Sequence, residues 1–130
     1  MKKALQELLN RSRFLRPYAF RVVAVKNGSC TIELPHRAVL ERPGGIVNGP
    51  ALMAAADCAM WLAIKAKLGI EQDALTSEMN TAFLAPARSE PVRCTATILK
   101  LGRRRVYGIA ECRGKGGKLV SHHTLTYARP

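Results

Sequence analysis

The chain has 130 residues, which suits one domain with its own core and leaves no room for two. Hydrophobic residues make up 48%, and there is no repeat or low-complexity stretch, which excludes a disordered or solenoid protein. The net charge of +12, with a sequence pI near 10.2, implies a basic surface, suited to an anionic partner such as nucleic acid or a nucleotide-containing polyanion.

Residues 2–15 pattern as a short amphipathic helix. Leu5, Leu8, Leu9 and Leu15 form one face; Lys3, Gln6, Glu7, Asn10 and Arg13 form most of the rest. Arg16-Pro17 is expected to end it, so the N-terminal helix occupies 1–16 and the core 20–128 of a single domain spanning 1–130. The first residues lack the long apolar run and cleavage site of a signal peptide. Residues 20–25 are valine-rich and strand-like, Lys26-Asn27-Gly28-Ser29 is a turn signal, and residues 30–34 form the returning strand. A loop over 35–43 carries His36, Arg37, Glu41 and Arg42, and Gly44-Gly45 permits a close backbone approach.

Residues 50–67 are helix-favouring and apolar nearly all round, so a helix about 27 Å long should be buried there. A transmembrane span is disfavoured by Asp57, by the helix-start signal Asn48-Gly49-Pro50 and by the strands that follow. Asp57 is the one charge before Lys65. A lone carboxylate on such a helix costs several kcal/mol unless it is paired or used, which marks it for chemistry. At the helix start, Pro50 has no N–H, which leaves the Gly49 and Ala51 N–H groups to receive an oxyanion. Gly49 and Asp57 are eight residues apart, about 12 Å along the axis, too far for both to act on one carbon. If both are catalytic, the site is expected to combine two copies of the chain, in a homodimer.

Gly69 is a plausible helix stop. Four strand-like segments follow, at 75–84, 91–101, 104–112 and 119–127. Their connections are short and rich in Gly, Pro and Arg, which implies antiparallel neighbours. An apolar helix must be covered, so the expected fold is α+β: a curved antiparallel β-sheet wrapped around a long central helix, with a short N-terminal helix.

Cys30, Cys58, Cys94 and Cys112 form no CxxC pair and are expected to be buried, reduced thiols in a cytoplasmic protein. No His, Cys and Asp cluster has metal-ligand spacing, so no metal site is expected. The basic residues are scattered, the longest run is Arg103-Arg104-Arg105, and aromatics are only 5%, which argues against a nucleic-acid surface.

Four motifs stand in order: Asn48-Gly49-Pro50, Ala55-Ala56-Asp57-Cys58-Ala59, Asn80-Thr81-Ala82-Phe83-Leu84-Ala85-Pro86-Ala87 and Gly102-Arg103-Arg104. With the order of elements, they resemble the hotdog fold and, within it, the phenylacetate-pathway (PaaI-like) acyl-CoA thioesterases, from about residue 20 to 127. The family pattern has His-Gly-Gly before the helix and Leu-Ala-Asp-x-Ala within it. The resemblance implies thioester hydrolysis with coenzyme A as part of the substrate and no other cofactor. It places the general base or nucleophile on Asp57 and the carbonyl-polarising N–H on Gly49. The water-placing hydroxyl falls on Thr76, with Ser77 beside it. It also implies a homodimer, or a dimer of dimers as a homotetramer, with each site shared between subunits. Two positions depart from the pattern: Asn48 replaces the histidine and Pro50 the second glycine. Asparagine can hydrogen-bond a substrate but cannot shuttle a proton at neutral pH. Arg42 stands near the position where relatives aim an amide at the substrate.

Each assignment has a plainer alternative. Asp57 can be a structural carboxylate paired with an arginine across a dimer, Asn48 and Gly49 a helix cap, and Thr76 an ordinary strand residue. Trp61, one turn after Asp57, is core or acyl-pocket wall, whereas Met53 and Met60 read as core. Arg103, Arg104 and Arg105 are a solvated turn or a grip on coenzyme A phosphates, with Lys115 and Lys118 as weaker candidates. His122 and His123 alternate faces, one packed and one exposed. The leading function is therefore an acyl-CoA thioesterase acting on a small or medium acyl or aryl thioester. The alternative is a non-catalytic module on the same fold that binds acyl-CoA or an acyl carrier. A hotdog dehydratase is disfavoured because no histidine lies between His36 and His122.

Overall fold

The computed structural model describes residues 1–130. Helix α1 (Lys2–Arg11) buries Leu5 and Leu9. It stops earlier than the sequence suggests: Ser12 takes an extended conformation and its hydroxyl donates to the Leu8 carbonyl at 2.8 Å. A 3-10 turn over Arg13–Tyr18, containing Pro17, carries the chain onward. Gln6 fastens α1 to the sheet, accepting from the Val22 N–H at 2.7 Å and donating to the Phe20 carbonyl at 3.3 Å.

Strands β1 (Arg21–Lys26) and β2 (Ser29–Leu34) form the expected hairpin, turning at Gly28 with φ of 77°. The loop that follows holds a two-stranded ribbon absent from the sequence reading, β3 (Glu41–Arg42) with β4 (Ile46–Val47). Gly44 and Gly45, at φ of 98° and 73°, make its turn in a region that favours glycine. Helix α2 (Gly49–Leu68) follows, closed at its end by Gly69, whose N–H bonds the Lys65 carbonyl. Four strands complete the chain: β5 (Leu75–Phe83), β6 (Val92–Leu101), β7 (Arg105–Arg113) and β8 (Leu119–Ala128).

These strands form one antiparallel six-stranded sheet in the order β1-β2-β6-β7-β8-β5. The short connection between β5 and β6 suggested a hairpin, but the two are not neighbours. β6 joins β2, β5 pairs with β8, and the 84–91 connection crosses between them. β2 thus continues the core beside β6, and β5 is left as an edge.

The sheet curves around α2, which packs chiefly on β2, β6 and β7. Ala55, Ala56, Ala59 and Ala63 let the strands come close, while Leu52, Met60, Leu62 and Ile64 fill the space between. Gly108 marks a close approach: a Cβ there would lie 2.4 Å from both Met60 Cε and the Thr97 carbonyl oxygen. Leu62 is fully buried, and its truncation to Ala should cost about 2–5 kcal/mol. The helix is not covered on every side, as its apolar composition suggested. Pro50, Met53, Ala54, Asp57 and Trp61 form a stripe that the sheet leaves partly open. Asp57 therefore sits on a part of α2 where a carboxylate keeps contact with solvent.

Candidate active site

Asp57 stands on the open stripe of α2, opposite the ends of β5 and β8. Thr76 Oγ1 donates to Asp57 Oδ1 at 2.7 Å. The Tyr127 hydroxyl reaches the same Oδ1 at 2.5 Å and the Asp57 backbone carbonyl at 2.8 Å. Thr76 and Tyr127 are cross-strand partners in the β5–β8 register, so the two hydroxyls arrive side by side. Asp57 Oδ2 takes no hydrogen bond from the chain and is not sealed from solvent. Within the chain no arginine pairs with Asp57; the five ion pairs all lie elsewhere. Burial, followed by the adjacent Asp57 carboxylate, pushes the Tyr127 phenol well above its ordinary ionisation, so it stays protonated and remains a donor.

The carboxylate lies in the wall of a hollow of about 270 Å³ whose lining is mainly apolar. Trp61, one turn along α2, lines it, as do Ala54, Cys58 and Leu75. Phe14, Leu15 and Tyr18, from the 3-10 turn after α1, close one side. Tyr18 is braced by Phe20, their rings stacked 5.0 Å apart. Sequence reasoning picked out Asp57, Thr76 and Trp61 but missed Tyr127 and the N-terminal wall. One signal for Tyr127 was available: it shares the inward phase of β8 with Ser121, His123 and Leu125, and a buried tyrosine hydroxyl needs a partner.

The helix start lies in a different hollow, lined by Arg42, Ile46, Val47, Gly49, Leu52, Phe83 and Pro86 among others. The Asn48 side chain caps α2, with Oδ1 accepting from the Ala51 N–H at 2.8 Å. Its Nδ2 donates to the Leu40 carbonyl at 2.6 Å. This corrects the expectation that Ala51 offers a free donor: the capping oxygen already uses its N–H. The Gly49 N–H has no acceptor within the chain. The Phe83 ring lies against Gly49, with Cζ 3.1 Å from where a Cβ would be. Gly49 and Asp57 thus line two separate hollows of the chain.

The remaining candidates lie outside both hollows. Ser77, next to a register shift in β5, turns its hydroxyl to the Thr126 carbonyl at 3.1 Å. Arg103, Arg104 and Arg105 are exposed at the β6–β7 turn. In the register, Arg105 pairs with Ala128 on β8, whose other neighbour is Leu75 at the rim of the Asp57 hollow. His123 is fully buried between Thr81 Oγ1 at 2.8 Å and Ser121 Oγ at 2.7 Å, whereas His122 is part-exposed beside Glu111. All four cysteines are free and buried; burial pushes the Cys30 thiol up to about 12. No group of three or more His, Cys, Asp or Glu side chains is placed to hold a metal ion.

A long helix wrapped by one antiparallel sheet defines a hotdog-fold protein. The model of the thioesterase superfamily matches residues 44–121, more than half of the chain, and this chain belongs to that family. It is thus a thioesterase-superfamily hydrolase. A Thermoplasma acidophilum protein, named provisionally as an esterase, is 29% identical over 123 residues, covering 95% of this chain and 92% of that one. A conserved protein of Pseudomonas aeruginosa superposes with a TM-score of 0.89 at 30% identity, over 96% of this chain and 98% of its own. The PaaI protein of the E. coli phenylacetic acid degradation operon shares the fold at a TM-score of 0.86 and 16% identity, over 95% of this chain and 88% of its own. The PaaI-like resemblance of the motifs is thus matched in the fold.

Proposed function

We propose that the chain hydrolyses acyl-CoA thioesters, with Asp57 as general base, at a site completed by a second copy. The observation that carries this reading is the state of the Asp57 carboxylate. One oxygen is fixed by two hydroxyls, and the other is free in the wall of an apolar hollow. In the proposed reaction, a water attacks the thioester carbonyl carbon while Asp57 Oδ2 takes its proton. The carbonyl electrons move to oxygen, where the Gly49 N–H of the other copy receives the charge. The carbonyl reforms, the carbon–sulfur bond breaks, and the thiolate of coenzyme A recovers the proton from Asp57.

The need for a second copy follows from the distance along α2 and from the separation of the two hollows. The surface it would use is the free edge of β5, which pairs only with β8. A nine-residue edge strand offers a row of unpaired backbone groups to another strand. Leu75 and Phe83, 64% and 54% exposed, lie at the two ends of that edge, and Met53 lies on the open helix stripe. A homodimer, alone or doubled as a homotetramer, satisfies this geometry.

Trp61 with Phe14 and Tyr18 would hold the acyl group. Arg42, in the Gly49 hollow, would meet the thioester end. Arg103, Arg104 and Arg105, beside the rim at Leu75, would meet the phosphates of coenzyme A; guanidinium groups suit that charge. Four free buried thiols fit a reducing compartment, and we place the chain in the cytoplasm on that ground. No helix is long and apolar enough to cross a membrane.

Complementation tests the shared site. Asp57→Asn and Gly49→Pro each disable one half, the second by removing the N–H donor. Co-expressed, they form mixed dimers in which one site combines an intact Asp57 with an intact Gly49. Turnover recovered in the mixture supports the reading; a mixture as inactive as its parents contradicts it.

A further inference from the structure

We infer that Tyr127 is a positioning residue, orienting the Asp57 carboxylate so that Oδ2 faces the substrate. This rests on the reading of Asp57 as the reacting base. Tyr127 is 2% exposed, near the end of β8, and its hydroxyl is the one polar atom of its side chain. That hydroxyl has a single proton and two acceptors within reach, Asp57 Oδ1 and the Asp57 backbone carbonyl. The carboxylate, being charged, is the stronger acceptor. Contact with both atoms ties the phenol to the side chain of Asp57 and to the backbone that carries it. A turn of the carboxylate away from the hollow would break the shorter bond.

Thr76 holds the same oxygen from the neighbouring strand at 2.7 Å. The two donors differ in rigidity. Thr76 stands on the exposed edge strand β5, whereas Tyr127 stands on an inner strand, paired on both sides and packed in the core. Tyr127 is therefore the fixed reference for the carboxylate, and Thr76 adds a second contact from the side where another copy would dock. Two donors on Oδ1 leave Oδ2 as the oxygen free to accept a proton. Because burial and the carboxylate keep the phenol protonated, Tyr127 supplies orientation and not a proton.

The test is Tyr127→Phe, which removes one oxygen and keeps the ring in the core. Its crystal structure should show the Asp57 carboxylate in more than one orientation. Kinetically, kcat should fall about 10-fold or more while KM for acyl-CoA stays within about 2-fold, since a misplaced catalytic group costs rate more than binding. A single unchanged carboxylate orientation, with kcat as in the wild type, would overturn the inference and leave Tyr127 a packing residue. If the wild-type chain turned over no acyl-CoA at all, the thioesterase reading would fall separately, and the carboxylate orientation in the Tyr127→Phe crystal would still decide the positioning claim.

Discussion

Thr76 and Asp57 are joined across the gap between β5 and α2 by a hydrogen bond of 2.7 Å, made at the edge of the sheet and open to solvent. Thr76 shares with Tyr127 the placing of Asp57 Oδ1, so Thr76→Ala should lower kcat by about 10-fold or more, the cost of a misplaced catalytic group. Thr76→Ser, which keeps the hydroxyl, should retain most of the rate. Steady-state thiol release measures both. An alanine variant as fast as the wild type would remove Thr76 from the site.

Asn48 should matter for folding more than for chemistry. Its Oδ1 caps α2 at Ala51, and its Nδ2 ties the helix start to Leu40. Asn48→Ala should cost about 1 kcal/mol or more of stability, the usual penalty for losing a cap. A thermal melt should then drop by several degrees, while Asn48→Asp, which keeps the accepting oxygen, should drop less. Equal melting of Asn48→Ala and the wild type would contradict the capping role.

Stability should decline in acid through at least two carboxylates. The Arg113 hydrogen bond, and then the His122 hydrogen bond, hold the Glu111 carboxyl below its ordinary range. Glu90 is lowered chiefly by the Lys115 backbone N–H, which it accepts at 2.7 Å. In both cases the folded form binds its proton less readily than the unfolded chain. Their contribution is therefore complete above the unfolded carboxylate range and is lost as pH falls through the lower folded values. Both groups are near the surface, so each should contribute about 1 kcal/mol or less. Melting temperature measured from pH 6 downward should begin to fall near about pH 4.5, and the fall should be shallower in Glu111→Gln. A melting temperature that rises across that interval would contradict the assignment.

Much of this fold is legible in the residues. The apolar run of α2, its Asn48 start and its Gly69 stop give the helix to within a residue at each end. Asn27-Gly28 gives the first hairpin, and alternation along β6, β7 and β8 gives their strands. Strand order is less legible: a connection of the length between β5 and β6 serves a hairpin or a crossing equally well, and the pairing of β2 with β6 joins segments about 60 residues apart. The ribbon of β3 and β4 has two residues per strand, too short for any periodicity. Asp57 and Thr76 could be found because motif spacing carries them. Tyr127 could not be found that way, because its tie to Asp57 spans 70 residues and depends on the β5–β8 register. Phe14 and Tyr18 were hidden in the same way, in a turn whose place over α2 is set by where α1 docks.

The most direct test of the account is thiol release from a panel of acyl-CoAs by the wild type and by Asp57→Asn, with fold and solution mass checked for both. The account predicts measurable turnover on at least one acyl-CoA by the wild type, and a loss of about 100-fold or more in a variant that keeps its fold and its oligomeric mass. Turnover that survives intact in Asp57→Asn would contradict it.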